Sequence, residues 1–500
     1  MSSSQTNFSE IKQNFCRTKI ICTLGPACDN EVILEQMIRE GLDGGRFNFS
    51  HGNYKEHKER LERFRRVEEK CGLKLPTILD TKGPEIRLGS FKEPVVLYQN
   101  QQYILTTRDN IIGTKEIASV SHKGITKDVK VGDRILIDDG LVELEALKIT
   151  ETDIICKVQN TGKINSNKGI NLPDSKTSLP SLTEKDINDL KFACDNNFDF
   201  IAGSFIRSKE DCINIKKFLF QFGGPQIKLI SKIENQEGID NFDEILSVSD
   251  GIMVARGDLG VEIPLERVPI EQKNMIRKCN EAGKLVITAT QMLDSMIVNP
   301  RPTRAEVTDI ANSIIDGTSV IMLSGETAAG KHPVETVHYM NQIALETEKS
   351  LNLNKLSVDL DEIKTLNLDK EDDYRNCINY SCCVTANLMK AKGIICVSSN
   401  DKAAMCLSKF RPKSPIFCIT NNEQAARHLS LEWNVQPVYV QNENRFNILI
   451  DEGIKKFKKM GFLTPGDNVV ICGEDNKDTT NIKTGSTNVS QLVGGILKVK

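Results

Sequence analysis

The chain has 500 residues, 39% hydrophobic and 27% charged, a balance that suits a globular protein of about three domains at ~150 residues each. Its net charge, 65 − 68 = −3, offers no general attraction to nucleic acid or to an anionic membrane, and no run approaches the ~18 apolar residues of a membrane span. The polar start MSSSQTNFSEIKQNF lacks the layout of a signal peptide, and fifteen cysteines without C-x-x-C spacing, beside six histidines, give neither a disulfide framework nor a zinc site. The reducing cytoplasm is the expected compartment.

In chain order, β-prone apolar runs alternate with segments of helical spacing. KIICTLG (Lys19–Gly25), RFNFSHG (Arg46–Gly52) and LPTILDTKG (Leu75–Gly83) are the first three strands. The rhythm resumes at Phe198–Ile206 and continues at Ile227–Glu234, Asp250–Asp258, Lys284–Gln291 and Ser319–Glu326. Each is followed by a helical segment; PTRAEVTDIANSIID, for example, starts at Pro302 or Thr303. Eight βα units are what closes a (β/α)8 TIM barrel, expected over 18–87 and 183–350. An open doubly wound sheet also alternates in this way. The barrel is favoured because the unusual polar residues gather where strands end, the face that carries barrel active sites.

Residues 88–182 break the rhythm. Their alternating runs, separated by Gly, Asp and Asn turns, predict an all-β lid domain inserted in the third βα loop. Residues 351–500 open with a polar acidic stretch and then repeat β and α as KGIICVSS, PIFCIT, VQPVYV and DNVVICG, which predicts a separate three-layer α/β domain. Residues 1–17 read as an N-terminal arm.

Four strand ends bring chemistry to the expected mouth: Arg46, Asn48, Ser50 and His51; Asp80, Thr81, Lys82, Glu85 and Arg87; Lys232 and Glu234, two apart and so on one face of a strand; and Arg256 and Asp258 around Gly257. Singly, each group has a structural reading: an ion pair, a loop salt bridge, hydrogen bonds inside the barrel, a turn. Together they form a concentration of acids and bases that is expensive without metal or phosphate. Glu234 and Asp258 offer hard oxygens for magnesium. Asn48, Ser50, Asp80 and Thr81 combine neutral oxygens with one carboxylate, as a larger, weakly charged cation requires. Arg46, Arg87 and Lys232 match phosphate. Metal, phosphate clamps and a lid point to phosphoryl transfer. GETAAGKH (Gly325–His332) nearly matches a P-loop, but His332 stands where a magnesium-binding hydroxyl is needed.

The runs NFSHG, LDTKGPEIR, LISKIEN, DGIMVARGDLGVEIP, TATQMLDSM, NPRPTRAEVTDIAN and IMLSGETAAG, in this order and spacing, closely resemble the pyruvate kinase family from about Thr18 to Pro333, and more weakly to the C-terminus. The resemblance implies glycolytic transfer of the phosphoryl group of phosphoenolpyruvate to ADP, in a cytoplasmic homotetramer with no nucleic-acid or membrane partner. By resemblance, Arg46 and Lys232 hold the transferring phosphoryl group. Glu234 and Asp258 bind Mg2+ (Mn2+ can substitute), and Gly257 and Asp258 approach the substrate carboxylate. Thr290 lies near the enolate carbon and serves a proton relay. Asn48, Ser50, Asp80 and Thr81 resemble the K+ site, and Asn48, His51, Arg87 and lid Lys168 the nucleotide contacts. An acid at Glu85 implies potassium dependence. A catalytically silent relative and a magnesium-dependent lyase of the phosphoenolpyruvate/pyruvate type are the alternatives.

The departures from the family are as specific. Gly44-Gly45 replaces a small or branched pair and is expected to loosen the strand. Leu88 replaces a common threonine, and Ala329 a lysine. The C-terminal effector loop reads Ser398-Ser399-Asn400-Asp401-Lys402-Ala403, in which Asp401 would repel a phosphate, and Lys477 and Lys483 sit in a later loop without its usual arginine. Weak or absent activation by fructose 1,6-bisphosphate is expected.

Overall fold

A computed structural model describes residues 16–353, 371–441, 443, 445–475 and 491–499. Most of the expected N-terminal arm, part of the acidic stretch after Ser350, and the loop with Lys477 and Lys483 lie outside the described residues.

Eight short strands close into a barrel: β1 (Lys19–Thr23), β2 (Gly44–Asn48), β3 (Thr77–Asp80), β4 (Phe200–Gly203), β5 (Lys228–Ile233), β6 (Gly251–Ala255), β7 (Leu285–Ala289) and β8 (Val320–Leu323), in the order β1-β8-β7-β6-β5-β4-β3-β2. The registers are parallel, with Lys19 beside Val320, Ile21 beside Gly44, Lys232 beside Met253 and Ile287 beside Val320. Closure removes the open-sheet alternative. Every residue of β1, β3, β4, β6, β7 and β8 is buried, because a parallel strand is covered on both faces. That is why these strands read as unbroken apolar runs. Capping boxes start three of the helices, at Thr183 with Asp186, Ser208 with Asp211 and Thr303 with Glu306.

Gly44 and Gly45 are closely packed in β2. A Cβ on Gly44 would lie 3.0 Å from Pro76 Cγ, and one on Gly45 would lie 3.0 Å from Leu24 Cδ1 and 3.3 Å from Phe64. Larger neighbours fill the space that a branched pair would take, so the strand is packed and fully buried at both positions.

The inserted segment forms a seven-stranded sheet and a two-stranded one, with a single short helix at Ile125–Asp128. Ile86–Arg87 already belongs to the larger sheet, pairing with Gly169–Asn171. Strand Asp153–Val158 alternates half-buried and buried residues, and its Ile154, Cys156 and Val158 pack with Tyr103, Leu144 and Ile135. Leu88 is buried in this core.

The C-terminal sheet has five strands in the order Val435–Tyr439, Ile416–Thr420, Gly393–Val397, Asn468–Asp475, Gln491–Lys498, parallel except for the last. Alternation along Gly393–Val397 divides its two faces. Ile394 and Cys396 pack with Cys383, Ala386, Leu407 and other residues on one side, and Ile395 and Val397 with Leu449, Ile450 and Phe457 on the other. The three layers follow from that split.

By contact density the chain divides into two compact units, one of Met1–Ile78, Phe198–Phe200 and Ile276–Lys500, the other of Leu79–Asn197 and Ile201–Met275. Each is described by itself below. Among the described residues no helix is long and apolar enough to cross a membrane, and all fifteen cysteines are free thiols.

Candidate active site

In the second unit the ends of β3, β4 and β5 converge on one ammonium. Lys232 Nζ donates to Ser204 Oγ at 2.7 Å and to Asp80 Oδ1 at 3.1 Å, and lies 2.9 Å from Glu234 Oε1. Ser204 Oγ donates to the Thr81 carbonyl at 2.6 Å, and the Ser204 N–H to Thr81 Oγ1 at 3.1 Å, which locks the end of β4 against that of β3. All five residues are buried, with Lys232 8% exposed, so the pairing is not screened by solvent. The backbone is bent to suit. Phe205 has φ 53° and donates its N–H to Glu234 Oε2, and Gly83, φ 74°, leaves room where a Cβ would lie 2.7 Å from the Phe205 ring. Gly83 N–H is held by Asp186 Oδ1 at 3.0 Å, from the helix that follows the lid.

Burial pushes the Glu234 carboxyl up to about 7. Lys232 opposes that shift, and nearby Asp258 adds to it. Glu234 Oε1 is buried and accepts no aligned hydrogen bond, although the Lys232 ammonium is close. A buried carboxylate beside a second acid is a donor set that suits a hard divalent cation, which takes one or two carboxylates and completes its shell with water and substrate. Among the described residues no group of three or more His, Cys, Asp or Glu side chains is placed to hold a metal without such help.

Asp258 does not end a strand, as the sequence suggested. β6 stops at Ala255, and Arg256, Gly257 and Asp258 form the first turn of a helix, Arg256–Glu262. Asp258, an acid in the first turn, suits the positive end of the helix dipole.

The lid side of the same unit carries the remaining predicted groups. Arg87 donates through Nε to Glu85 Oε2 at 2.7 Å and through Nη1 to the Asn167 carbonyl at 2.7 Å, while Lys82 Nζ lies 3.7 Å from Glu85. Lys168 Nζ donates to Asp138 Oδ1 at 2.8 Å. Asp138 and Asp139 turn the chain with φ of 55° and 53°, a conformation that aspartate tolerates. The Asp139 carboxyl is raised, first by burial and then by Asp258. Glu85, Arg87, Asp138, Lys168 and Asp258 line one cavity of about 440 Å³.

The first unit holds the others. Arg46 is buried on β2 and donates to Thr23 Oγ1 at 2.8 Å. β2 ends at Asn48, so Asn48 and Ser50 do not alternate along a strand; the Ser50 N–H instead donates to Asn48 Oδ1 at 3.1 Å. His51 is exposed, and its carbonyl meets His57 Nε2 at 2.8 Å. Thr290 and Gln291 follow β7 with φ of 68° and 56°. A β-branched residue in the left-handed region is a strained outlier of the kind that clusters at working sites. In the C-terminal domain, Asp401 Oδ2 lies 3.5 Å from His428 Nδ1, so a neighbour faces that charge.

Sequence reasoning missed Ser204, Asp138, Asp139, Asn171 and Glu262. Ser204 was within reach, since it follows β4 as the other polar groups follow their strands. The remaining four come together only through the lid's return path, which no local spacing encodes.

The chain matches known proteins along most of its length. Residues 15–337 match the family model "Pyruvate kinase, barrel domain" and residues 376–493 match "Pyruvate kinase, alpha/beta domain". The chain is 44% identical over 477 residues to a protein of Clostridium acetobutylicum named pyruvate kinase, covering 95% of this chain and 99% of that one. The protein of the same name from Clostridium perfringens is 43% identical over the same shares. One from Staphylococcus aureus is 42% identical over 479 residues, covering 95% of this chain and 80% of its own length.

Proposed function

We infer the residue roles from one premise: the chain belongs to the pyruvate kinase family, and its reaction is transfer of the phosphoryl group of phosphoenolpyruvate to ADP, giving pyruvate and ATP. The observation that carries the assignment is Lys232, a buried ammonium between Asp80 and Glu234, beside a carboxylate oxygen left without an aligned hydrogen bond. A loose phosphoryl-transfer transition state spreads charge over the equatorial oxygens, and a preorganised ammonium in a water-poor site stabilises it. Lys232 fills that role, and Arg46 orients the phosphoryl group through paired guanidinium hydrogen bonds. The bond from the enol oxygen to phosphorus breaks as a β-phosphate oxygen of ADP bonds to it. The enolate then takes a proton at carbon, relayed past Thr290.

The family generally needs a divalent metal and potassium, and we assign Glu234 and Asp258 to Mg2+, with Mn2+ able to replace it. Gly257 and Asp258 sit at the substrate carboxylate. The divalent ion, when bound, supplies positive charge to the phosphoryl and carboxylate oxygens. Asn48, Ser50, Asp80 and Thr81 would hold K+, one carboxylate among neutral oxygens being the donor set for a large monovalent ion, and Glu85 marks the dependence on it. Asn48, His51, Arg87 and Lys168 contact the nucleotide. A cytoplasmic homotetramer is proposed on family grounds; the free thiols support a reducing compartment. Nothing in the site favours a lyase or a silent relative.

Pyruvate formation from phosphoenolpyruvate, ADP and magnesium tests the reading, with potassium present and then replaced by a bulky organic cation. A rate that collapses without potassium supports both assignments. A rate that survives discards the potassium site, and no pyruvate from folded protein discards the activity.

A further inference from the structure

Lid and barrel meet within the second unit, and one contact there joins side chains that the chemistry above leaves unused. Asn171 Nδ2 donates to Glu262 Oε1 at 2.7 Å. Asn171 ends the lid strand Gly169–Asn171, directly after Lys168, and Glu262 ends the helix Arg256–Glu262, one turn beyond Asp258. Both residues line the cavity of about 440 Å³ that Lys168 and Asp258 also line. Glu262 is half-buried at the junction, and burial raises its carboxyl to about 7, so the charged form is costly there without a partner. Other contacts at the lid's root act elsewhere. Arg207 donates to the Thr177 and Leu179 carbonyls at 3.0 and 2.7 Å, which ties down the returning chain but not the strand that follows Lys168.

We propose that Asn171 and Glu262 are positioning residues, a latch that sets the register of the lid so that Lys168 above and Asp258 below face the same nucleoside diphosphate and its cation. The latch rests on the phosphotransfer reading. It touches no reacting atom; it acts by holding two strand-and-helix ends at one spacing, and so its loss falls on the nucleotide rather than on phosphoenolpyruvate.

The test compares Asn171→Ala, Glu262→Ala, the double variant and Glu262→Gln in the full-length protein. Either alanine variant is expected to raise the KM for ADP about tenfold, equivalent to ~1.4 kcal/mol, and the double variant no further, because both remove one hydrogen bond. The KM for phosphoenolpyruvate stays within about twofold in all of them. Glu262→Gln keeps an oxygen that can accept from Asn171 and retains the wild-type KM for ADP within about twofold. Calorimetric titration with ADP and magnesium, without phosphoenolpyruvate, gives the same pattern at equilibrium. Multiplying effects in the double variant, equal rises in both KM values, or an unchanged KM for ADP would overturn the latch. If an alanine variant does not fold, Glu262→Gln and Asn171→Asp decide, the second placing two acids together and expected to lose ADP affinity. Wild-type protein that binds ADP but forms no pyruvate would sink the activity reading, and the calorimetry alone would then judge the latch.

Discussion

Replacing Lys232 by methionine keeps an unbranched side chain, one atom shorter, and removes the ammonium with its charge and its hydrogen bonds. Three oxygens lie within 3.1 Å of that charge, two of them on buried carboxylates. At an effective dielectric of about 20, one such pair at ~3 Å is worth roughly 5 kcal/mol before desolvation is counted. Breaking a buried pair from one side typically costs ~3–5 kcal/mol, because the remaining charge is left in place. Glu234 softens that cost at neutral pH, since its carboxyl already titrates at about 7 and takes a proton readily once the ammonium is gone. The stability deficit should therefore be smaller at pH 6 than at pH 8, where more of the Glu234 carboxyl is ionised in the wild type. Turnover should fall ~10²–10³-fold or more at either pH, because the missing charge is one that the transition state needs. Pyruvate formation and thermal melting, measured on the same samples at pH 6 and pH 8, separate the two effects. A folded Lys232→Met variant that turns over within about tenfold of wild type would refute the role given to this residue.

Three further outcomes follow from the geometry. Glu85→Lys places a third cation beside Lys82 and Arg87 and should weaken the response of turnover to potassium; an unchanged salt profile would remove Glu85 from that role. Thr290→Gly releases a φ of 68° and should raise the melting temperature, by about 1 kcal/mol of stability, while lowering kcat. Loss of both would show that the conformation is not strained. Glu262 has its folded-state pKa raised from 4.5 to about 7, so the folded protein holds its proton through that window and loses stability, by up to about 3 kcal/mol, as pH rises across it. Glu262→Gln carries no charge to bury, so its melting temperature should pull ahead of wild type between pH 5 and pH 8. A gap that does not change with pH would mean that Glu262 is solvated.

The barrel was legible because both-face burial writes each strand as an apolar run, and the sheet closes on the eighth. The inserted lid was legible by its alternation, as at Asp153–Val158. Where the sequence was silent or misleading, the cause was in most cases a neighbour distant in sequence. Gly44 and Gly45 look like weak points until Pro76, Leu24 and Phe64 are placed against them. Asp258 was read as a strand end because VARGD continues the apolar run, whereas the helix begins at Arg256. Lys232 and Glu234 were recognisable by spacing, but the pairing of Lys232 with Asp80 and Ser204 depends on three strand ends meeting. Asn171 and Glu262 are 91 positions apart, and no periodicity joins them.

The cluster around Lys232 also bears on the order in which ligands can arrive. One ammonium stands among Asp80, Glu234 and the neighbouring Asp258, so this part of the pocket is net negative once its acids ionise. Phosphoenolpyruvate brings a phosphate and a carboxylate of its own, and entering alone it would meet repulsion from two of the three acids. A divalent cation reverses that sign. On the proposed assignment of Glu234 and Asp258 to the divalent ion, the metal would precede the phosphoester or enter with it, and the apparent affinity for the phosphoester should climb with free magnesium.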